Sequence, residues 1–219
     1  GRPRVSRILG MLVTSIGLAT LLEYATGTDF GIDSLLLFGR AWGRVGVISP
    51  GRMGPPGAAS WTLLGLALVL ASSTFRIGKR TSKDVGPVVA LLTTLISALS
   101  IIGYMYGANV LYTIPTLTVI AFQTSTFILA VSLALVFASD KHGPVLLLVD
   151  DGPAGTLVRR VLPGLLLLPI VLGVLRLAGQ RAGLYDLAFG TAARTIAEIL
   201  LLTILLWWTG NAVRQQTIA

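Results

Sequence analysis

Val85-Gly-Pro-Val-Val-Ala-Leu-Leu-Thr-Thr-Leu-Ile-Ser-Ala-Leu-Ser-Ile-Ile-Gly-Tyr-Met-Tyr-Gly107 contains no charged side chain. About 20 apolar residues in a row are enough to cross the hydrocarbon core of a bilayer as a helix. In hydrocarbon every backbone N–H and C=O must be bonded within the segment, so such a run defaults to helix. Alternation of apolar and polar residues would instead point to an outer-membrane barrel, and this stretch does not alternate. Five further runs read the same way, giving spans near 8–26, 58–75, 85–107, 117–139, 161–178 and 189–210. The expected fold is an all-α membrane protein, a six-transmembrane-helix bundle forming a single integral membrane domain over 1–219.

Composition agrees. Of 219 residues 54% are hydrophobic and 12% charged, about half the charge usual in a soluble domain. The net charge of +8 comes from short basic clusters between apolar runs. No basic stripe with interleaved aromatics is present, which argues against nucleic acid as a partner. There are no cysteines, which excludes disulfides, thiolate zinc sites and iron–sulfur clusters. The single histidine, His142, excludes bis-histidine haem, and as a loop residue it reads as solvated. No cofactor is expected. The run from Ile8 to Ala25 follows Arg2, Arg4 and Arg7, as in a signal peptide. Its length and its end at Glu23 and Tyr24 favour a retained helix.

Orientation follows from the excess of lysine and arginine on cytoplasmic loops. Arg2, Arg4, Arg7, Arg76, Lys79, Arg80, Lys83, Lys141, Arg159, Arg160 and Arg214 fall on one side. Arg40, Arg44, Arg52, Arg176, Arg181 and Arg194 fall on the other. The first, richer side is expected inside, placing both termini in the cytoplasm (N-in/C-in). The long outer loop, 27–57, carries Ile32, Leu35, Leu36, Leu37 and Trp42, a pattern for a short interfacial helix. Pro163 and Pro169 predict that the fifth span starts near the first and kinks at the second. Asp150-Asp-Gly-Pro153 reads as a turn capping a short interfacial helix before Arg159.

The chain also echoes itself. Gly65-Leu-Ala-Leu-Val-Leu-Ala-Ser-Ser73 matches Ser132-Leu-Ala-Leu-Val-Phe-Ala-Ser-Asp140, and each precedes a Gly-Pro-Val, at 86–88 and 143–145. The pattern predicts repeated helical hairpins.

Ionisable groups within spans are the usual markers of function. Arg194 and Glu198 stand four apart on one helix face and can pair. Glu23 and Arg176 lie near the outer ends of spans one and five. With Tyr104, Tyr106, Tyr112 and Tyr185 they outline a candidate ligand or signal pocket at the outer end of the bundle. The competing structural reading is that the charges only fix helix register and the tyrosines form an interfacial belt. Thr93, Thr94, Ser97, Ser100 and Gln123–Thr126 read as helix–helix contacts. No Ser/His/Asp set, phosphate-binding glycine loop or dense carboxylate cluster is visible, so neither a catalytic site nor a metal site is expected.

Several motifs in order resemble the N-terminal multi-span membrane sensor region of bacterial sensor histidine kinases and diguanylate cyclases. They are Gly31-Ile-Asp-Ser-Leu35, Gly51-Arg-Met-Gly-Pro55, Gly65-Leu-Ala-Leu68 and Tyr106-Gly-Ala-Asn-Val-Leu-Tyr112. Asp151-Gly-Pro153 with Arg159-Arg160, Leu175–Asp186 and Phe189-Gly190 complete the series. Gln123-Thr124 stands where the family often has His-Thr. The resemblance implies a sensory input domain in the bacterial cytoplasmic (inner) membrane, working as a homodimer. It would pass a periplasmic or intramembrane stimulus through the last helix to a cytoplasmic effector module, a kinase or cyclase. The rival reading is a structural or accessory subunit of a larger membrane complex. A transporter ranks third, with only Pro169 and Gly173 to suggest a broken helix. The mixed pocket residues suit a zwitterion, a quinone, a lipid head group or no ligand.

Overall fold

Leucine, isoleucine, valine and alanine dominate the apolar runs, and the described chain answers with helices. The computed structural model describes residues 3–33, 51–107, 120–139 and 145–218, with 212–218 as backbone only. Its elements are α1 (Pro3–Thr26), α2 (Pro55–Ala71), β1 (Arg76–Ile77), β2 (Arg80–Thr81), α3 (Ser82–Tyr106), α4 (Phe122–Phe137), α5 (Leu146–Val149), α6 (Pro153–Arg181) and α7 (Leu187–Ile218). Four helices, Pro3–Thr26, Ser82–Tyr106, Pro153–Arg181 and Leu187–Asn211, are long and apolar enough to cross a membrane. The helices α2 and α4 are equally apolar but have 17 and 16 residues. At 1.5 Å per residue they reach about 25 Å, short of a core of roughly 30 Å.

The helices fall into two compact units, residues 1–145 and 146–219. In the first, α1 packs on α2, α2 on α3 and α3 on α4, each antiparallel to the last. The closest approach is between α1 and α2. A Cβ added to Gly65 would lie 2.6 Å from the Gly10 carbonyl oxygen, and one on Gly17 would lie 2.8 Å from that of Ala58. Glycine is required there because the two backbones touch, the small-residue packing common between membrane helices. Gly86 lets α3 approach α2 in the same way, with its Cβ position 3.1 Å from the Ala71 nitrogen.

Polarity in this unit is inverted relative to a water-soluble protein. On α3 the buried positions are Ser82, Gly86, Pro87, Ala90, Thr93, Thr94, Ser97 and Ser100, all on one helical face. Leu92, Leu95 and Leu99 point outward, Leu99 being 71% exposed. Soluble domains bury leucine and solvate serine, whereas a lipid-facing surface demands the reverse. Thr94 Oγ1 and Ser132 Oγ lie 2.9 Å apart across the α3–α4 contact, as expected of hydroxyls between membrane helices. Two small apolar clusters fill the gaps, one on Ala67, Ala90, Val136 and Val145, the other on Leu64, Ile120 and Ile128.

One end of this unit is basic. The α2–α3 link is a two-residue-per-strand hairpin in which Arg76 pairs with Thr81 and Ile77 with Arg80, turning at Gly78 (φ 60°). Thr81 and Asp84 then form a reciprocal capping box that starts α3, with the Thr81 N–H donating to Asp84 Oδ2 at 2.8 Å. Arg7 at the start of α1 donates to the Ser72 carbonyl at the end of α2, 3.0 Å away. The two helices therefore begin and end beside this basic hairpin.

The second unit is the α6–α7 hairpin with α5 packed on α6. Here the proline reading needs correcting. The helix α6 begins at Pro153, not near Pro163, and carries both Pro163 and Pro169 inside it. Proline at the first helical position loses no bond that the helix would have made. The bonds lost farther in are tolerated within membrane helices. The short helix expected before Arg159 is also displaced. It is α5, ahead of Asp150, and Arg159 caps its end by donating to the carbonyls of Leu148 and Asp150, each at 2.7 Å.

The two echoed segments end their helices one position apart, at Ala71 and Phe137 where an equivalent register would give Ala71 and Ala138. Leu35–Leu37, Trp42 and His142 lie outside the described residues.

Candidate functional site

Glu23 closes the last turn of α1, and its side chain has no exposed surface. A buried carboxylate is costly unless paired. Its pairing comes from residues 27–33 and 51–52, which flank the undescribed part of the connection between α1 and α2. The backbone turns at Gly27, Gly31 and Gly51, with φ of 69°, 70° and 81°, values that glycine adopts without strain. This brings Phe30 back so that its N–H donates to Glu23 Oε1 at 2.7 Å. It also lays Arg52, whose side chain is 7% exposed, across three carboxylates. The Arg52 Nε sits 3.3 Å from Glu23 Oε2 and pairs with Asp33 Oδ2, while Nη2 reaches Asp29 Oδ1 at 3.3 Å.

The three carboxylates each offer an oxygen within 4.8 Å of the others, a spacing that a cation could share. The guanidinium of Arg52 is the counter-ion this arrangement provides. It also lies over the Tyr24 ring, 5.7 Å from its centroid, where the ring quadrupole favours a cation. The hydrogen bond to Asp33 raises the Arg52 pKa above its ordinary value, with the charges of Asp33, Glu23 and Asp29 adding to it against the opposing effect of burial. A guanidinium stays protonated in proteins, so Arg52 is the charged partner that the three carboxylates face.

Unit two holds a second charged site. Tyr185, in the turn between α6 and α7, donates its hydroxyl back to the Arg176 carbonyl at 3.0 Å. Its ring lies between Gly179 and Gly190, either of which would collide with it if it carried a Cβ. Beside the ring, Leu172, Leu175, Arg176, Gly190, Ala193, Arg194 and Ala197 line a cavity of about 190 Å³. The Nε atoms of Arg176 and Arg194 are buried without a hydrogen-bond partner. Arg194 pairs one turn on with Glu198, at 3.6 Å.

No protein-family model, curated protein or solved structure matches this chain.

Of the eight residues singled out from the sequence, Arg176, Tyr185, Arg194 and Glu198 share the α6–α7 site. Glu23 belongs to the Arg52 cluster. Tyr104 lies two residues before the end of α3, where its hydroxyl donates to the Ile120 carbonyl at 3.1 Å and its ring packs edge-on against Phe122 at 5.6 Å. Tyr106 is half-buried at the same end of α3, and Tyr112 lies outside the described residues. The sequence showed no dense carboxylate cluster, yet folding assembles one from Glu23, Asp29 and Asp33. Arg52, Asp29 and Asp33 were missed as site residues. A signal was present, since Asp33 and Arg52 are the charged residues of Gly31-Ile-Asp-Ser-Leu35 and Gly51-Arg-Met-Gly-Pro55.

Proposed function

We propose that the chain is a membrane-embedded sensory input domain with six spans, both termini cytoplasmic, in the inner membrane of a bacterium. It acts as a homodimer whose last helix drives a cytoplasmic kinase or cyclase. The observation that carries this reading is the meeting of Asp33 and Arg52 on Glu23. Two short motifs that resemble sensor-region motifs, 19 residues apart, form one ion cluster on the end of the first span. Such a cluster ties an outer loop to a membrane helix through charge, so a stimulus that perturbs the loop also perturbs α1. The basic hairpin at the opposite end of the same unit supports the inward assignment of that end. The ends of α2 and α4, one position apart in the echoed register, are in keeping with a repeated hairpin.

The native gene product tests the reading. A polypeptide carrying several hundred further residues with a kinase or cyclase module, whose output changes on Arg52→Met or Asp33→Asn, is the expected result. A stop near Ala219 together with co-purification in a stable hetero-complex would assign the chain to the accessory-subunit class instead.

A further inference from the structure

The cavity between α6 and α7 is apolar in every lining side chain except two arginines and a tyrosine. Tyr185 spends its hydroxyl on the α6 backbone, which leaves the guanidiniums as its polar feature. Each presents a buried Nε–H with no acceptor among the described residues, and a buried donor left unmade is unfavourable. Glu198 balances one of the two charges from the Arg194 side. Arg176 forms no ion pair among the described residues, so the site keeps one uncompensated positive charge.

Depth along the helices narrows the candidates. Arg176 lies five residues before the end of α6 and Arg194 seven after the start of α7, or about 8 and 10 Å from the turn. Long arginine side chains at such a depth extend toward the membrane interface, where lipid phosphates lie, and here they sit beside a leucine- and alanine-lined opening suited to an acyl or glycerol portion.

We propose that Arg176 and Arg194 bind a monoanionic phosphate, with the apolar lining accepting the body of an anionic phospholipid. Guanidinium forks match phosphate oxygens in geometry and charge, and a single negative charge neutralises the site. The assignment rests on the α6–α7 hairpin and holds with or without an output module.

The test uses the purified full chain in detergent and native mass spectrometry with added phosphatidylglycerol or phosphatidylcholine. Thermal stability with inorganic phosphate is measured in parallel. Retention of phosphatidylglycerol over phosphatidylcholine is expected, falling about tenfold or more in the Arg176→Gln/Arg194→Gln double variant but not in Arg160→Gln. Stabilisation by inorganic phosphate without lipid retention, lost in the same double variant, supports the site with a soluble phosphate as its source. Ala197→Leu keeps both charges and fills the cavity, so it should also lose binding, and it decides the matter if the double variant does not fold. The proposal is overturned by binding that survives Ala197→Leu or the double variant unchanged, by equal retention of both lipids with no effect of phosphate, or by no binding of either probe.

Discussion

Replacing Arg52 by methionine removes the only cation touching Glu23, Asp29 and Asp33 among the described residues. Breaking a buried ion pair from one side costs about 3 kcal/mol or more, because the remaining charge stays buried. Arg52→Met is expected to lower the thermal unfolding midpoint in detergent, and Glu23→Gln in the same background should recover part of the loss. An additive double variant would show that the two side chains are not coupled. Glu198→Gln is a milder change. The Arg194–Glu198 pair is about one-third exposed and spans one helical turn, and such pairs contribute only a few tenths of a kcal/mol. Folding should therefore be unaffected; under the proposed sensory reading the output of the coupled effector would change, and an unchanged output would reduce the pair to a register device. Glu23 and the α6–α7 charges were legible in the sequence because a charge inside an apolar run is conspicuous. Arg52 was not, because its partners lie 19 to 29 positions away and only the path of the loop brings them together. In a one-dimensional reading it counted simply as one more loop arginine.

At the scale of elements, the apolar runs located every long helix but misplaced several ends. The α6 start is instructive. Pro163 reads as a breaker from propensity alone, yet in an apolar setting the backbone gains more from remaining helical than from exposing unpaired groups. The helix consequently runs back to Pro153. The ends of α2 and α3 are decided by the tight basic hairpin and its Thr81–Asp84 capping box, local chemistry that a hydropathy reading passes over. The glycines of the α1–α2 contact give the sharpest test at this scale. Gly65→Val should destabilise the unit by about 2 kcal/mol, since the added carbons meet the Gly10 carbonyl oxygen and the Thr14 nitrogen, backbone atoms that cannot swing aside, as well as the Thr14 hydroxyl. Gly103→Ala, where a Cβ meets nothing within 4 Å, should be neutral or stabilising by up to about 1 kcal/mol. Equal effects at the two positions, read by thermal unfolding, would contradict the backbone contact.

For the whole molecule the membrane character was plain from composition, and the outward-facing leucines of α3 agree with it. Span number and orientation are a different matter, because α2 and α4 fall a few residues short of the length that decides by itself. The absence of cysteine makes a direct measurement simple. In the proposed topology, Lys79→Cys in the basic hairpin is labelled by an impermeant thiol reagent only after the cells are opened, and Thr28→Cys is labelled in intact cells. Labelling of position 79 in intact cells would invert the assignment.

The contact of Gly10, Gly17 and Gly65 with the opposing backbone also limits how the first two helices can move. Two smooth cylinders could slide past one another by any small amount. These two are toothed, each glycine notch seated on a carbonyl of its neighbour, so a fractional slip drives backbone into backbone. Gly10 and Gly17 stand seven residues apart on α1, about 10 Å, so a shift of one turn brings Val13 or Thr14 against the α2 backbone in place of a glycine, and the pair is held in one register. Under the proposed sensory reading, a pull on the Arg52 cluster would move α1 and α2 together relative to the rest of the unit, the basic hairpin lying at their other end.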